Sequence, residues 1–340
     1  MNLDLTLFGL QPAEYVVERI GSGHINHTYK VIGKKKFILQ RVNKDVFKNP
    51  EIIATNLRAA SDYLKEYYPE YPFMTGIRSA AGKEMEYDAE GFPWRLFPYS
   101  ENTMTIDKVS SPEEAFSAAA EFGMLTKYLD QVNVSSFKET IPRFHDLEYR
   151  KEQFEEALGR AGKLSNEASD CVATCKKFYH LVQQYNALIK SKALRLRIVH
   201  NDTKINNVLF ERGNSNTAGV IDLDTLMPGY FIYDLGDMVR TFVCPVSEEE
   251  GDLTKIAFRG AVYRALLDGY LSEMKEVLSR EERASIPFAG KMMTYIMALR
   301  FLADYLRGNT YYQVKYSEQN LVRASNQLKL LEVISKNLPG

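Results

Sequence analysis

Residues 198–240 read IVHNDTKINNVLFERGNSNTAGVIDLDTLMPGYFIYDLGDMVR, and the rest of the chain is best understood as a scaffold for this segment. It begins with an apolar pair that leads into a polar turn, residues 200–207, and then into a short apolar strand. After a loop rich in Gly, Asn and Ser, a second strand is predicted for residues 218–224. Because side chains alternate along a strand, Asp222 and Asp224 at its end are expected to point to the same side.

The polar turn matches the H-x-D-x-x-x-x-N pattern of the protein-kinase superfamily, with Asp202 and Asn207 at its two functional positions. In that pattern the aspartate accepts the proton of the substrate hydroxyl and the asparagine binds magnesium. Phosphoryl transfer requires one carboxylate beside the attacking oxygen and hard oxygen ligands for the metal on the phosphates. Asp222 is placed to supply the metal carboxylate. An isolated H-x-D is more often only a turn with an Asx cap, and the acid pair after the next strand favours the kinase interpretation.

The composition is that of an ordinary globular protein of 340 residues, with 45% hydrophobic and 26% charged residues. This length suits one large domain or two lobes. The 43 Lys and Arg residues balance 44 Asp and Glu residues, so no excess of charge favours nucleic acid or an anionic membrane. A small-molecule partner is therefore expected. Without a basic leader or a run of about 18 apolar residues, the chain is expected to be cytoplasmic and not membrane-bound.

A glycine-containing loop is predicted between the first two strands of an N-terminal β-meander. Its glycines and small polar residues allow backbone N–H groups to approach an anion, as in the loop that covers the nucleotide phosphates in kinases. A plain hairpin turn would have a similar sequence, but the position upstream of the catalytic pattern favours phosphate binding. The candidate phosphate-binding residues are Gly21, Ser22 and Gly23, and the strands are predicted at residues 15–20, 28–32 and 36–42.

The third strand lacks the lysine that binds the α- and β-phosphates in kinases, because it reads Phe-Ile-Leu-Gln-Arg over residues 37–41. Either Arg41 or Lys36 would then neutralise the phosphates, or the backbone and the metal would do so. This departure is the main argument for an unusual or an inactive kinase. Residues 49–67 predict the helix of the small lobe, and Glu51 near its start is a candidate partner for a basic group on the third strand.

The sequence PWRLFPYS, residues 93–100, predicts a strand that runs into a hinge between lobes at residues 95–101. An adenine ring would form hydrogen bonds with the backbone at Leu96, Phe97 and Pro98, although an edge strand with an aromatic core face explains this segment equally well. Downstream, a capping box at residues 111–114 begins a helix, and helical patterns continue over residues 146–190 and 252–337.

These patterns predict an α+β, protein-kinase-like fold of two lobes. The N-terminal, nucleotide-binding lobe would span residues 1–100, with a small antiparallel sheet and one helix. The C-terminal, mainly helical lobe would span residues 102–340 and would carry the catalytic and acceptor-binding groups. Within it, residues 299–312 combine arginine with tyrosines, which suits a neutral polyol because aromatic faces stack on sugar C–H groups while arginine binds hydroxyls. A solvated helix face with a tyrosine-rich cap is the alternative for this region.

The chain resembles the aminoglycoside phosphotransferase and choline kinase-like branch of the protein-kinase-like superfamily and, within it, the bacterial N-acetylhexosamine 1-kinases. The resemblance implies that ATP and Mg²⁺ are used to phosphorylate the anomeric hydroxyl of N-acetylglucosamine or N-acetylgalactosamine. It also implies that a Gln-Arg third strand is compatible with activity. The motifs that carry it are GSGHIN, FILQRVN, HNDTKINNVLF, VIDLDTLMPG, YDLGDMVR and RFLADYLRGNTYY.

By the same resemblance, Asp202 would be the base, Asn207 and Asp222 would bind Mg²⁺, and a later acid, Asp234, would brace the catalytic loop. The implied sugar contacts are His24, Asp202, Arg300 and Tyr311.

Two other functions remain open from the sequence. A kinase of the same branch could act on choline, homoserine or an aminoglycoside; a polycationic acceptor would need an acidic cleft, whereas choline would need an aromatic cage. A catalytically silent nucleotide-binding protein is a further alternative, which the missing lysine favours and the intact catalytic pattern opposes.

Overall fold

The N-terminal part of the chain forms a five-stranded antiparallel sheet in the computed structural model, which describes residues 3–20 and 25–338. The strand order is β1-β2-β3-β5-β4, so the predicted meander is confirmed as the first three strands. The strands are β1 Val16–Ile20, β2 His27–Ile32, β3 Lys36–Arg41, β4 Glu86–Tyr87 and β5 Pro93–Pro98.

The two faces of this sheet have different roles because side chains alternate along each strand. The outer face packs against the N-terminal segment in a small hydrophobic core, to which Leu39 of β3 and Leu96 of β5 belong. The inner face carries Gln40 of β3 and Arg95 of β5, which face a cavity. The register pairs these two residues directly across the strands.

The remainder of the described chain is mainly helical, which confirms the predicted large lobe. The capping box of α2 is present, with the Ser111 hydroxyl accepting from the Glu114 N–H at 3.2 Å. Within the region predicted to be helical, residues 252–337, two successive helices meet at Ser285. The helices are α1 Glu51–Tyr67, α2 Pro112–Tyr128, α3 Leu147–Arg160, α4 Asn166–Lys177, α5 His180–Lys190, α6 Phe231–Phe242, α7 Gly260–Met274, α8 Arg280–Ala284, α9 Ile286–Leu306 and α10 Gln319–Asn337.

Helix α9 runs through the centre of the helical part and is buried over most of its length, which explains why it is apolar around its whole circumference. Even so, no helix in residues 3–20 and 25–338 combines the length and the apolar character needed to cross a bilayer.

Helix α1 shares the hydrophobic core of the helical part, not that of the sheet, and Ile53 and Leu57 are among the residues it buries there. Asn56 of this helix is also buried, and its side-chain amide donates to the Leu226 carbonyl of the helical part at 3.0 Å. Glu51 accepts a hydrogen bond from the Tyr87 hydroxyl at 2.6 Å and, among the described residues, forms no ion pair with a basic group on β3. Helix α1 is therefore anchored to the catalytic half of the molecule.

The segment of residues 198–240 forms short antiparallel strand pairs followed by α6. The strand predicted over residues 218–224 ends early, at Val220, because Asp222 adopts a left-handed backbone conformation with φ of 57° and opens a 3-10 turn. Asp222 and Asp224 are consequently not alternate residues of one strand. The strands are β6 Thr103–Met104, β7 Arg197–Val199, β8 Val208–Glu211, β9 Thr217–Val220 and β10 Met227–Gly229.

Candidate active site

A cavity of about 980 Å³ lies between the inner face of the sheet and the helical part. This volume is at the upper end of the range for small-molecule sites in proteins. The cavity brings together the predicted catalytic and metal-binding residues with two of the predicted acceptor-binding residues. Its lining includes Asp202, Asn207, Asp222, Arg300 and Tyr311.

The loop that carries Asp202 is held by Asp234 of α6. The Asp234 carboxylate accepts hydrogen bonds from the backbone N–H groups of His200 at 3.0 Å and Asn201 at 2.7 Å. Its backbone carbonyl accepts from the Thr203 hydroxyl at 2.7 Å. Burial raises the pKa of Asp234 to about 7, although the two N–H donors favour the ionised form. The geometry is that of the bracing acid implied by the sequence resemblance.

Replacing this brace is expected to destabilise the protein. Asp234→Ala leaves two buried N–H groups without acceptors, so the free energy of unfolding should fall by about 2–4 kcal/mol. Urea unfolding followed by circular dichroism measures the change. Asp268→Ala, on the exposed side of α7, is the matched control and should change stability by less than about 0.5 kcal/mol. Equal losses in the two variants would contradict the bracing role.

His200 joins this loop to the Asp222 segment. Its Nε2 donates to the Ile221 carbonyl at 3.0 Å, and its Nδ1 accepts from the Asp202 N–H at 3.3 Å. Burial lowers the pKa of His200, so the ring is neutral and satisfies both hydrogen bonds as a single tautomer. Because Thr225 also donates to the His200 carbonyl at 2.7 Å, the two acid-bearing segments form one connected unit.

Asp202 is held by two neighbours at the edge of the cavity. Lys204 lies 2.9 Å from its Oδ1 atom, and the side-chain amide of Asn207 donates to its Oδ2 atom at 3.2 Å. Burial acts to raise the pKa of Asp202, but the positive charge of Lys204 outweighs it and the pKa lies below its ordinary value. Asp202 is therefore ionised at neutral pH, and its partly exposed side chain can meet an acceptor hydroxyl.

Asp222 and Asp224 have different surroundings, contrary to the expectation that they point to the same side. The side chain of Asp222 opens onto the cavity, although the surrounding protein still removes much of its solvation. Asp224 is buried, forms an ion pair with Arg95 and accepts a hydrogen bond from the Asn26 side chain at 2.7 Å. The left-handed conformation of Asp222 separates them, because it turns the chain between the two acids.

The residues around Asp222 fit Mg²⁺ bound together with nucleotide phosphates. Burial, followed by the negative charges of Asp224 and Asp202, raises the pKa of Asp222 to about 7, and a cation would relieve this crowding. Asn207 uses its amide nitrogen for Asp202 and keeps its side-chain oxygen available as a ligand. Within the described ranges no cluster of three or more His, Cys, Asp or Glu side chains suits a metal, but Mg²⁺ needs only one or two carboxylates besides phosphates.

The nucleotide-binding residues predicted from the sequence divide into two groups. Phe97 and Pro98 line the cavity next to the hinge. Arg41 and Leu96 are absent from the described lining, because their side chains point to the outer face of the sheet. The Arg41 guanidinium lies 4.4 Å from the centre of the Phe92 ring, and the Leu96 carbonyl accepts from the Ile77 N–H at 2.7 Å. The predicted residues Gly21, Ser22, Gly23 and His24 lie outside the described ranges.

At the other end of the cavity, Arg300 of α9 lies among three aromatic rings. The distances from its guanidinium carbon to the ring centres are 4.8 Å for Phe144, 5.5 Å for Tyr312 and 5.8 Å for Tyr311. No ion pair joins Arg300 to a carboxylate in the described part of the chain. Apart from Nη1, which donates to the Met297 sulfur at 3.6 Å, its guanidinium donors are thus available to oxygen atoms of a bound molecule.

Two carboxylates at this end share one buried partner, Arg240, whose single positive charge offsets only one of the two negative charges. Its guanidinium lies 2.8 Å from Asp237 and 2.6 Å from Glu248. One oxygen of Asp237, Oδ2, has no hydrogen-bond partner among the described residues. The acceptor end of the cavity therefore offers an arginine without an acid partner and one carboxylate oxygen that remains an acceptor.

Sequence-based reasoning missed Arg95, Gln40, Asn26 and Asp237 as lining residues. The alternation of side chains along a strand could have identified Arg95 and Gln40 as residues that face away from the core. Arg95, for example, lies between Trp94 and Leu96, which are both core residues. Asn26 and Asp237 have no comparable signal, because their neighbours in the site are distant in the sequence.

Comparison with known families decides the affiliation of the chain. The model of the family described as "Phosphotransferase enzyme family" (APH) matches residues 16–277, which include the sheet, the catalytic loop and the Asp222 segment. The chain belongs to this phosphotransferase family. The match covers most of the chain. The cavity of this APH phosphotransferase is therefore a feature of a protein whose family transfers phosphoryl groups.

Solved structures share this fold over nearly the whole chain. The amicoumacin kinase hAmiN in complex with AMP-PNP, Ca²⁺ and Ami has 18% identity and a TM-score of 0.64, with 98% of this chain and 92% of that one covered. A microcompartment-associated aminopropanol kinase has 16% identity, a TM-score of 0.66 and coverages of 98% and 96%. A choline/ethanolamine kinase family protein from Mesorhizobium loti has 16% identity, a TM-score of 0.59 and coverages of 97% and 93%. These likenesses show that the APH phosphotransferase has the fold of small-molecule kinases.

Proposed function

We propose that this phosphotransferase is an ATP- and Mg²⁺-dependent kinase that phosphorylates a hydroxyl group of a small molecule. The observation that carries the proposal is the meeting of Asp202, Asn207 and Asp222 at one cavity between the sheet and the helices. The structure of the similar amicoumacin kinase contains AMP-PNP and Ca²⁺, which by analogy supports ATP and a divalent metal as cofactors of this phosphotransferase.

In the proposed reaction, Asp202 orients the acceptor hydroxyl and takes its proton as the phosphoryl group is transferred. Lys204 keeps Asp202 ionised, and Asn207 fixes the orientation of its carboxylate. Asp222 and Asn207 would hold Mg²⁺, which would offset negative charge on the phosphates. The hydrogen bonds of His200 and Asp234 hold the loop of Asp202 and the segment of Asp222 in position. Neither His200 nor Asp234 contacts the substrate in this proposal.

The nucleotide is proposed to lie beneath the sheet of the N-terminal lobe, residues 1–100, with adenine against the hinge at residues 95–101. Phe97 and Pro98 are the proposed contacts in the described part of this region. The glycine loop, Gly21 to Gly23, remains the predicted cover of the phosphates. The acceptor would then enter from the helical lobe, residues 102–340.

For the acceptor we propose an N-acetylhexosamine, phosphorylated on its anomeric hydroxyl to the sugar 1-phosphate. Arg300, which has no carboxylate partner in the described ranges, suits neutral or anionic oxygen atoms and disfavours a cation. Tyr311, partly exposed beside it, presents an aromatic face of the kind that stacks on sugar C–H groups. His24 remains a predicted sugar contact from the resemblance.

An amino-alcohol acceptor is the second candidate, and two observations favour it. Among the similar solved structures are an aminopropanol kinase, a choline/ethanolamine kinase family protein and an aminoglycoside phosphotransferase from Alicyclobacillus acidocaldarius. In addition, Asp237 Oδ2 lines the acceptor end without a hydrogen-bond partner among the described residues and could accept from an ammonium group.

A panel of acceptors with ATP and Mg²⁺ tests both candidates. It contains N-acetylglucosamine, N-acetylgalactosamine, glucose, choline, ethanolamine, homoserine and an aminoglycoside, and phosphorus NMR locates the new phosphate. A phosphate on the anomeric carbon of an amino sugar supports the first candidate. Turnover confined to the cationic acceptors would replace it with the second, and no ATP consumption with any acceptor would count against a kinase of these classes.

Arg300→Met is expected to weaken acceptor binding selectively. Loss of charged hydrogen bonds to acceptor oxygen atoms should raise the acceptor KM by about 10- to 100-fold. The KM for ATP should stay within about twofold of the unsubstituted enzyme, because Arg300 belongs to α9 of the helical part and not to the sheet beneath which the nucleotide is proposed to lie. Arg307→Met, at the exposed end of the same helix, is the matched control. A rise in the ATP KM with no change in the acceptor KM would contradict the assignment.

A further inference from the structure

The position that carries lysine in kinases is Gln40 in this chain, and an arginine lies directly across from it. The β3–β5 register pairs Gln40 with Arg95, and both side chains are on the inner face of the sheet. The Arg95 guanidinium donates to the Gln40 side-chain oxygen through Nε at 3.1 Å and through Nη2 at 2.8 Å. A cation from the neighbouring strand thus occupies the region where the lysine ammonium group would otherwise lie.

Arg95 is also tied to the metal-binding segment. Its guanidinium forms an ion pair with Asp224, two residues after the proposed metal ligand Asp222. In kinases the corresponding lysine pairs with an acid of the small-lobe helix. In this chain Glu51 of α1 instead accepts a hydrogen bond from the Tyr87 hydroxyl. The carboxylate that pairs with Arg95 is that of Asp224.

One nitrogen of this buried guanidinium, with its two N–H groups, makes no hydrogen bond. Arg95 is only 3% exposed, and its Nη1 has no hydrogen-bond partner among the described residues. Buried polar groups are normally satisfied, and an arginine offers five N–H donors in a planar fork that matches phosphate oxygens. An unfilled donor on a residue that lines the cavity therefore indicates an acceptor atom supplied by a ligand.

The two cations of the third strand that the sequence suggested, Lys36 and Arg41, are less suitable. Lys36 forms an exposed ion pair with Glu101 at 2.9 Å, outside the described lining of the cavity. Arg41 points to the outer face, where it stacks on Phe92. Because side chains alternate along a strand, Arg41 points away from the cavity and Arg95 points into it.

We propose that Arg95 binds the phosphates of the nucleotide in place of the third-strand lysine, with Gln40 and Asp224 holding its guanidinium in position. The inference rests on the proposed ATP-dependent function and specifies how the nucleotide phosphates are recognised. It also accounts for an active site without the lysine, because the positive charge is supplied from β5 and not from β3.

Binding of ADP and of adenosine, each measured by calorimetry without metal, tests the proposal. Arg95→Met should weaken ADP binding by about 10- to 100-fold through loss of charged hydrogen bonds. Adenosine, which has no phosphate, should bind within about twofold of its affinity for the unsubstituted protein. Arg41→Met is the matched comparison on the opposite face of the same sheet, and it should keep the preference for ADP. An unchanged ADP preference in Arg95→Met, or its loss in Arg41→Met, would overturn the proposal.

Two further variants separate phosphate binding from the structural ion pair. Arg95→Met with Asp224→Asn removes both charges, so no buried carboxylate is left unpaired, and it should still lose the ADP preference. Arg95→Met with Gln40→Lys moves the cation to β3 and should restore at least part of the ADP affinity. If the first double variant keeps the full preference, Arg95 serves only as the partner of Asp224 and the proposal fails. If the unsubstituted protein binds neither ADP nor adenosine, the proposed function itself fails and this inference with it.

Discussion

Asp202→Asn is expected to reduce kcat for phosphoryl transfer by about 10³-fold or more, because the amide can neither accept the hydroxyl proton nor carry the negative charge that orients it. The substitution keeps the shape of the side chain, so the loop hydrogen bonds that Asp234 and His200 make should persist. Binding of ATP should therefore remain close to that of the unsubstituted enzyme.

Phosphorus NMR with the preferred acceptor measures the rate for this variant, and calorimetry measures its ATP affinity. Asp170→Asn, on the exposed surface of α4, is the matched control and should retain full activity. Turnover near that of the unsubstituted enzyme would remove Asp202 from the role of base. Loss of ATP affinity together with activity would instead indicate a disturbed loop.

Asp222→Asn is expected to lower Mg²⁺-dependent activity by about 100-fold or more, since it removes the carboxylate proposed to hold the metal on the phosphates. Higher Mg²⁺ concentrations should recover part of the rate, because the neighbouring Asn207 remains. A titration of activity against Mg²⁺ gives the shift in metal requirement. An unchanged Mg²⁺ dependence would rule out Asp222 as a ligand.

The same variant has a readout that does not depend on activity. Burial and the charges of Asp224 and Asp202 raise the pKa of Asp222 from 3.8 to about 7, so in the absence of metal its ionisation opposes folding. A raised pKa in the folded state means that stability is lost as pH rises from about 4 to about 7. Asp222→Asn should therefore stabilise the metal-free protein at pH 8 and have little effect at pH 3. Equal effects at both pH values would contradict this electrostatic origin.

The two candidate acceptors, an N-acetylhexosamine and an amino alcohol, differ in charge. The similar solved structures are described as kinases of amino alcohols and aminoglycosides, which carry positive charge. In this chain Arg240 forms ion pairs with both Asp237 and Glu248, which leaves one net negative charge among these three groups, and Arg300 faces the cavity without an acid partner among the described residues. A cation would meet this guanidinium unfavourably, whereas sugar oxygens would accept hydrogen bonds from it, and the acceptor panel decides between them.

The sequence by itself determined the features that depend on short stretches of chain. The spacing of Asp202, Asn207 and Asp222 predicted that they would meet at one site, and the alternation of apolar residues predicted the β-meander; both are present in the structure. The capping box at residues 111–114 likewise predicted where α2 begins. These features depend on backbone hydrogen bonding and side-chain periodicity over a few residues, which neighbours in the chain largely control.

Only the tertiary structure decided which cations and acids share the cavity. Strand alternation shows that Gln40 and Arg41 point to opposite faces, but the packing of the N-terminal segment decides which face becomes the core. Asn26 reaches Asp224 across 198 positions of sequence, and α1 joins the helical core instead of the sheet. The physical reason is that strand register, lobe packing and buried ion pairs are set by contacts between distant segments, whose geometry no local pattern encodes.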